Sequence, residues 1–240
     1  LGAEITICDQ KTDLLLPGYA TPKLGTDYLK DLDQFDVLVR TPGLYPQKIV
    51  DANPQAPKIL DKVTTSINIF FEKCPGSIIG VTGTKGKGTT CTLIYKILKA
   101  AGKKVFLGGN IRTNPLDFLS EVTANSWVVL ELSNFQLIDF KYSPKIGVCL
   151  MMAPEHQDWH KTVKEYYETK KNLFIRQGEN DRTVYDYTNP YSKQTVAVSG
   201  GSLVPYAVAE ENKTPPTKEG AYEKRKKIYF KGTFICNVDE

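Results

Sequence analysis

The sequence lacks any apolar run approaching the ~20 residues that a membrane-crossing helix needs, so we expect no membrane partner. Only two histidines are present, which leaves little room for a His-rich metal centre. The five cysteines are scattered without a CxxC pair, which argues against a disulfide framework and a structural zinc site. Thirty-one basic against 27 acidic residues leave a net charge of +4, too small to indicate nucleic-acid binding. With no charged segment before an apolar one near the start, these features predict a cytoplasmic protein.

Strands and helices are predicted to alternate along the 240 residues, which indicates an α/β fold with a mostly parallel sheet. The predicted strands cover residues 5–9, 35–40, 78–82, 104–107, 127–132, 146–151, 183–185 and 195–198. The predicted helices cover residues 61–72, 88–101, 115–120 and 163–177, and a hairpin is predicted over residues 222–237. In the helix after Gly88, one stripe of apolar side chains predicts the buried face: Leu93, Ile94, Ile97 and Leu98.

A break in the pattern at residues 74–77, Cys-Pro-Gly-Ser, predicts a domain boundary near residue 73. Both ends of the chain lie close to predicted strands, so we expect a fragment cut at both ends. The alternative is that its limits were chosen for convenience. The basic run at residues 223–227 is interpreted as the solvated edge of a hairpin, and no nucleic-acid partner is expected.

The strongest signal is a glycine-rich loop, TGTKGKGTT, between a predicted strand and an amphipathic helix. This geometry binds phosphate because backbone N–H groups converge, the helix dipole favours anions and Lys87 adds a mobile positive charge. The alternative, a glycine-rich turn with surface lysines, is disfavoured by the flanking strand and helix. The candidate nucleotide-binding residues are Gly83, Thr84, Lys85, Gly86, Lys87, Gly88, Thr89 and Thr90.

The loop fits the pattern GxxxxGK[ST] only in part. Gly80 supplies the first glycine, and Gly86 and Lys87 supply the central pair. Gly88 stands where a serine or threonine hydroxyl normally binds magnesium. Metal binding must therefore depend on Thr89, on water or on residues elsewhere.

Two further candidates follow predicted strands at the same sheet edge. Glu131 ends an apolar strand in the manner of a Walker B segment, although a strand-end glutamate in solvent is the alternative. His156 follows the strand at 146–151, and a neutral imidazole there can bind magnesium or manganese together with Glu131. An equally good reading of that segment is a helix N-terminus in which Glu155 and Asp158 complement the dipole.

A lysine lies on the apolar stripe of the helix predicted at 163–177. Lys170 shares this face with Tyr166, Tyr167, Leu173 and Phe174. Burial there would lower the pKa of its amine and make it reactive. A lysine that extends its charged end to solvent is the alternative, which the sequence alone favours.

Several segments together resemble the Mur ligases in order and spacing. They are GTKGKGTT at residues 83–90, GGNI at 108–111, ELSNFQL at 131–137, EHQDWH at 155–160, the lysine at 170 and, upstream, FDVLVRTPG at 35–43. The chain departs from the family pattern at Lys85, Gly88, Arg112, Asn134 and Glu155. These departures put the details of metal coordination in question, not the family.

The resemblance implies a partial Rossmann-like N-terminal domain over residues 1–72, which binds a uridine nucleotide, and a P-loop-type central ATPase domain over residues 73–240. It implies a ligase that joins D-glutamate to UDP-N-acetylmuramoyl-L-alanine through an acyl phosphate, in peptidoglycan precursor synthesis. The implied cofactors are ATP and a pair of Mg²⁺ ions, and a monomer is expected. The alternatives for the activity are another Mur ligase or a folylpolyglutamate synthase, against which residues 131–137 argue. From a different class, the chain is a nucleotide-binding fragment without turnover, and for this chain alone we expect that interpretation, while the longer parent would be the ligase.

The resemblance also implies roles for individual residues. The implied catalytic residues are Lys87, Glu131, His156 and Lys170. The implied metal ligands are Glu131, His156, Lys170 if it is carbamylated, and Thr89. The implied substrate contacts are Asp9 and Thr41 for the uridine part, and Asn110, Ser133 and Gln136 for the remainder. For Asp9 a plain turn is a nearly equal alternative.

Overall fold

The structure, a computed structural model, divides the chain into two compact units, Leu1–Thr65 and Ser66–Glu240. It describes residues 2–111, 113–155, 159, 162–208 and 219–238. The sequence predicted the boundary near residue 73, at the end of helix α2 (Ser66–Lys73). The structure instead places α2 in the second unit, because Ile67 and Phe70 are buried in the core of that unit.

The first unit contains two short parallel strand pairs and one α-helix. Its elements are β1 (Ile5–Asp9), β2 (Ala20–Leu24), β3 (Leu38–Val39), α1 (Pro46–Ala52) and β4 (Val63–Thr64), with 3₁₀ turns at Leu32–Gln34 and Ile59–Lys62. β1 pairs with β2, and β3 pairs with β4. The predicted strand at 35–40 is reduced to β3. The predicted helix at 61–72 is wrong in its first part, because the β-branched run 63–65 favours the extended conformation of β4.

The second unit is built on one nine-stranded sheet with the order β13-β12-β11-β10-β9-β8-β5-β7-β6. Its strands are β5 (Ser77–Thr82), β6 (Val105–Gly109), β7 (Trp127–Glu131), β8 (Ile146–Cys149), β9 (Arg182–Asp186), β10 (Ser202–Val208), β11 (Ala221–Lys224), β12 (Lys227–Phe230) and β13 (Thr233–Asn237). From β11 to β6 in this order neighbouring strands run parallel, whereas β12 and β13 are antiparallel. The predicted α/β fold with a mostly parallel sheet is confirmed.

The helices of the second unit connect the strands. They are α2, α3 (Lys87–Ala100), α4 (Asn134–Leu137), α5 (Val163–Lys171) and α6 (Pro190–Val196), with a 3₁₀ helix at Pro115–Glu121. None of the helices in the described part of the chain has the length and apolar character that crossing a bilayer requires.

Both faces of the sheet are covered by apolar side chains. Along β5, Ile78 belongs to one buried cluster, whereas Ile79 and Val81 belong to the other. Val128 and Val129 divide between the same two clusters on β7. This alternation explains why these strands are nearly continuous apolar runs in the sequence.

The order of the strands places β5 between β7 and β8. The connection through α3 leads from β5 to β6 on one side of β5, whereas β8 and β9 lie on the other side. The carboxyl end of β5 is therefore a topological switch point, where open parallel sheets bind their ligands. The glycine-rich loop begins at this point.

Two further predictions are wrong. The predicted strand at 195–198 is instead the end of α6, at residues 195–196, and the turn that follows. The sequence specifies α6 by Pro190 in its first turn and by Asn189, whose side chain accepts a hydrogen bond from the Ser192 amide. The predicted stripe on α3 is correct only for Ile94 and Leu98, which pack beneath the sheet with Cys91. Its other members face solvent: Leu93 is 54% exposed and Ile97 66%.

Candidate active site

The glycine-rich loop is joined to the end of the neighbouring strand by backbone hydrogen bonds. The amide of Leu150 donates to the carbonyl of Thr82 at 2.9 Å, and the amide of Thr84 donates to the carbonyl of Met151 at 2.9 Å. Among the residues that the structure describes, the amides of residues 85–89 donate to no acceptor. Because these amides lie at the positive end of α3, they form a row of donors suited to phosphate oxygens.

Two glycines allow this loop conformation. Gly83 has φ +144°, and a Cβ added there would lie 2.7 Å from the Cβ of Leu150. Gly86, the residue that precedes α3, is left-handed with φ +84°. Side chains at these positions would be strained, and at Gly83 would also collide with Leu150, the residue after β8. The sequence pattern of the loop therefore follows from its geometry.

Two lysine side chains meet at one carbonyl of the loop. The Lys87 Nζ donates to the carbonyls of Gly83 at 3.1 Å and Thr84 at 2.9 Å. The Lys170 Nζ donates to the same Gly83 carbonyl at 3.2 Å and lies 3.4 Å from the Thr82 hydroxyl. The Lys87 ammonium thus borders the row of free amides and would attract an anion bound there, with the Lys170 amine beside it.

The side chain of Lys170 is buried, with 1% of its surface exposed. Its Nζ lies 4.8 Å from the centre of the Tyr166 ring. Burial, and secondly the positive charge of Lys87, lowers the pKa of Lys170 to about 7. The alternative of a solvent-extended lysine is therefore wrong, and a neutral, nucleophilic amine is accessible near neutral pH.

A buried hydroxyl network connects the loop to α5. The Thr84 hydroxyl donates to the Ala153 carbonyl at 2.9 Å and accepts from the Ala153 amide at 2.9 Å. Because its single proton is used in this way, the Tyr166 hydroxyl, 2.8 Å away, acts as the donor to Thr84. Tyr166 is thereby fixed beside Lys170.

Replacing Thr84 by valine is expected to lower the free energy of unfolding by about 1–3 kcal/mol, because it removes the hydrogen bonds that the Thr84 hydroxyl makes with the Tyr166 hydroxyl and the Ala153 amide. Urea denaturation measures this change. The matched control is Thr92→Val, since the Thr92 hydroxyl donates only to the Gly88 carbonyl one turn earlier in α3, at 2.8 Å. Equal losses for the two variants would contradict the network.

Glu131 ends β7 directly beside the loop, with 7% of its surface exposed. Its Oε1 accepts a hydrogen bond from the Asn110 Nδ2 at 2.9 Å. Its Oε2 faces the first turn of α3, where a Cβ added to Gly88 would lie 3.1 Å away. The absence of a side chain at Gly88 thus leaves space for this carboxylate oxygen at the positive end of the helix.

The remaining loop candidates differ in accessibility. Lys85 and Thr89 are exposed and Thr90 is half-buried, so the Thr89 hydroxyl is open to a ligand.

Arg112 and His156 lie outside the described residues. Within the described ranges, no group of three or more His, Cys, Asp or Glu side chains could hold a metal ion. Of the predicted metal ligands, Glu131 is the one carboxylate that the structure describes, and it lies beside the start of α3.

Two predicted substrate contacts have a structural role at α4. Ser133 and Gln136 are buried, and the Gln136 Oε1 accepts from the Ser133 amide and hydroxyl, each at 3.0 Å. This arrangement caps the N-terminus of α4. Phe135, which precedes Gln136 in α4, packs its ring against Trp159, with centroids 4.7 Å apart.

Two predicted substrate contacts lie in the first unit. The Asp9 Oδ1 accepts from the Lys11 amide at 2.8 Å, as in the plain turn given as its alternative. Thr41 is exposed, and its carbonyl accepts from the Nη1 of the buried Arg40 at 2.8 Å. The same Nη1 contacts the Leu44 carbonyl at 2.7 Å, so Arg40 fixes the loop that carries Thr41.

Two polar residues that the sequence did not indicate, Asp186 and Asn189, lie at the end of β9 and just beyond it, at the same sheet edge. The Asn189 Nδ2 donates to the Met152 carbonyl at 3.0 Å, so this side chain connects α6 to the segment after β8. Asp186 accepts from the Thr188 amide at 2.9 Å and hydroxyl at 2.7 Å. The Asn-Pro pair at 189–190 is a helix-start signal that could have revealed the first of them.

A family model described as the Mur ligase middle domain matches residues 81–235. The UDP-N-acetylmuramoylalanine–D-glutamate ligase of Ruminiclostridium cellulolyticum is 42% identical over 172 residues, 71% of this chain and 36% of that protein. The ligase of the same name from Clostridium acetobutylicum is 35% identical over 253 residues, 100% of this chain and 53% of that protein. The chain thus spans about half the length, or less, of the curated relatives it matches.

Solved structures share the fold at low sequence identity. The MurF ligase from Thermotoga maritima in complex with ADP aligns with a TM-score of 0.51 and 19% identity, covering 73% of this chain and 45% of that chain. The UDP-N-acetylmuramate:L-alanyl-gamma-D-glutamyl-meso-diaminopimelate ligase from Neisseria meningitides aligns with a TM-score of 0.55 and 16% identity, covering 97% and 78%.

Proposed function

The chain belongs to the Mur ligase family, and we propose that it carries the nucleotide-binding part of a ligase that joins D-glutamate to UDP-N-acetylmuramoyl-L-alanine. The observation that carries this proposal is the row of free amides at residues 85–89 with the Glu131 carboxylate beside it. The curated relatives that bear the name of this ligase support the choice of substrates. The proposed reaction is a step of peptidoglycan precursor synthesis, carried out in the cytoplasm by a monomer on small molecules.

The proposed nucleotide is ATP, with its phosphates against the free amides and Lys87. In this arrangement Lys87 exchanges the carbonyls of Gly83 and Thr84 for phosphate oxygens. The cation stabilises the charge that develops as the terminal phosphoryl group is transferred. Thr89 and Thr90 would add hydroxyl contacts at the same helix end.

Magnesium fits the donors that the chain offers at this place. The Glu131 Oε2 lies beside the start of α3, and the Thr89 side chain is exposed there. His156 and a carbamylated Lys170 are the further proposed ligands. When bound, Mg²⁺ would supply positive charge that offsets the repulsion between an anionic phosphate and an attacking carboxylate.

The proposed chemistry proceeds in two steps. The alanyl carboxylate attacks the γ-phosphorus of ATP, which forms an acyl phosphate and releases ADP. The neutral amine of D-glutamate then attacks the acyl carbon, which forms the amide and releases phosphate and a proton. Lys87 acts in the first step by neutralising oxygens of the transferred group.

The lowered pKa of Lys170 supports its proposed carbamylation. The neutral Nζ attacks the carbon of CO₂, and loss of one proton leaves a carbamate anion. The negative charge that this creates would lie near the Lys87 ammonium, because the Nζ atoms of both lysines contact the Gly83 carbonyl. Such an anion would be a hard oxygen ligand of the kind that magnesium prefers.

The remaining site residues are proposed to contact substrate. Ser133 and Gln136, which cap the start of α4, would hold that helix end in place for the substrate. Asn110 would contact the substrate with its side-chain oxygen, since its nitrogen donates to Glu131. The predicted first domain, with Asp9 and Thr41, would take part in binding the uridine nucleotide. The predicted second domain would carry the ATPase chemistry.

The function is tested by nucleotide binding and phosphate release. We expect calorimetry to detect binding of Mg·ADP, and any release of phosphate from ATP to require both UDP-N-acetylmuramoyl-L-alanine and D-glutamate. L-glutamate is the matched negative control, and a dihydrofolate substrate tests the folylpolyglutamate synthase alternative. Nucleotide binding without turnover would reduce the chain to a nucleotide-binding module, and absence of nucleotide binding would overturn the proposal.

A further inference from the structure

The carboxylate of Glu131 is held in one orientation by a neighbour from another strand. The Asn110 Nδ2 donates to Oε1 at 2.9 Å, whereas Oε2 faces Gly88 at the start of α3. Because an ionised carboxylate only accepts hydrogen bonds, the amide nitrogen of Asn110 is the atom that contacts it. The two carboxylate oxygens therefore have different surroundings.

The backbone of Asn110 is anchored to the same glutamate. Its amide donates to the Glu131 carbonyl at 2.9 Å. The preceding residue, Gly109, pairs with Glu131 in the sheet and has φ +96°. A side chain on Gly109 would overlap the Glu131 carbonyl, so this close approach requires glycine. The strand end thus fixes Asn110 relative to Glu131 at both the backbone and the side chain.

We propose that Asn110 is a positioning residue: it holds Oε1 of Glu131 so that Oε2 faces the row of free amides and is available to a divalent cation on the bound nucleotide. This inference rests on the proposed function. It differs from a substrate contact, because the Asn110 nitrogen is used by Glu131 and only its side-chain oxygen remains for another group.

The physical basis is the orientation of the metal-binding group before the metal arrives. Without Asn110, the terminal torsion of Glu131 is broad and both oxygens can turn away from the start of α3. Hydrogen bonds to metal-ligating groups typically change metal affinity by about 10–100-fold when they are removed. The backbone contacts of Asn110 with Glu131 remain when only the side chain is replaced, so the fold at this edge is retained.

The test compares Mn²⁺ binding to the ADP-bound chain, measured by electron paramagnetic resonance, for wild type and Asn110→Ala. We expect about 10–100-fold weaker Mn²⁺ binding in the variant. Metal-free ADP binding, measured in EDTA, is expected to stay within about twofold, because the amides of 85–89 and Lys87 are unchanged. A general structural defect would weaken both measurements.

Two further variants make the test specific. Asn110→Gln retains a side-chain amide at an exposed position and is expected to recover part of the Mn²⁺ affinity. Asn114→Ala is the matched control, because the Asn114 side chain also makes a hydrogen bond, to the Leu116 amide at 3.2 Å, in a cap away from Glu131. If Asn110→Ala is unfolded, Asn110→Leu, which has similar volume and no amide, takes its place.

The outcomes separate this inference from the proposed function. Mn²⁺ affinity of Asn110→Ala within about twofold of a wild type that binds Mn·ADP would overturn the positioning role and leave the proposed function intact. Equal weakening in Asn114→Ala would also overturn it. A wild-type chain that binds neither ADP nor Mn·ADP would overturn the proposed function and this inference with it.

Discussion

Replacing Lys87 by methionine is expected to weaken nucleotide binding, measured by calorimetry, and to lower any ATP-dependent phosphate release by about 10²–10³-fold. The lysine follows the glycine-rich turn, and its Nζ donates to the Gly83 and Thr84 carbonyls at 3.1 and 2.9 Å. Lys170, the other lysine that contacts the Gly83 carbonyl, is buried and is not expected to replace Lys87 at the bound phosphates. Methionine keeps most of the aliphatic chain and removes the charge.

The control for this prediction is Lys96→Met. Lys96 is an exposed lysine of the same helix, more than two turns away from the loop, so the variant changes the net charge equally. We expect its nucleotide affinity and phosphate release to match those of wild type. If Lys87→Met bound ATP as tightly as Lys96→Met, the loop would not be the phosphate site.

Replacing Lys170 by methionine is expected to remove a pH-dependent part of the stability. The pKa of Lys170 is lowered from 10.5 to about 7 in the folded chain, chiefly by burial. Between these two values the unfolded chain binds a proton on this lysine that the folded chain does not bind. The wild-type free energy of unfolding should therefore rise with pH relative to the variant, by about 1.4 kcal/mol per pH unit across this window.

The stability effect is measured by urea denaturation at several pH values from about 7 to about 10, where the difference amounts to about 4 kcal/mol. The control is Lys171→Met. Lys171 is the next residue, and its ammonium pairs at 2.7 Å with Glu168 near the surface. We expect the free energy of unfolding of Lys171→Met to rise with pH as steeply as that of wild type. A rise that persisted undiminished in Lys170→Met would show that its amine is not neutral in the folded chain.

The central part of the fold was predictable because its signals are local. β5, the glycine-rich turn and α3 follow one another, and the conformation of Gly83 and Gly86 can be adopted by few other residues. The sequence of this segment therefore indicates the phosphate-binding candidates without knowledge of the strand order. Glu131 was predicted by the same reasoning, since parallel strands end at a common edge.

Other features depend on contacts that the sequence does not specify. The stripe on α3 included Leu93 and Ile97, because adjacent apolar positions are compatible with two helix faces, and only the sheet decides which one is buried. The contact between Asn110 and Glu131 joins residues 21 positions apart through the register of β6 and β7. The depth of Lys170 likewise depends on how α5 packs against the loop, which its helical period does not reveal.

The carbonyl of Gly83, shared by Lys87 and Lys170, has a consequence for the affinity of the proposed phosphate site. A phosphate bound there would replace the carbonyl partners of Lys87 with phosphate oxygens. The electrostatic gain on binding would therefore be smaller than the charge of Lys87 alone suggests, since one interaction is exchanged for another.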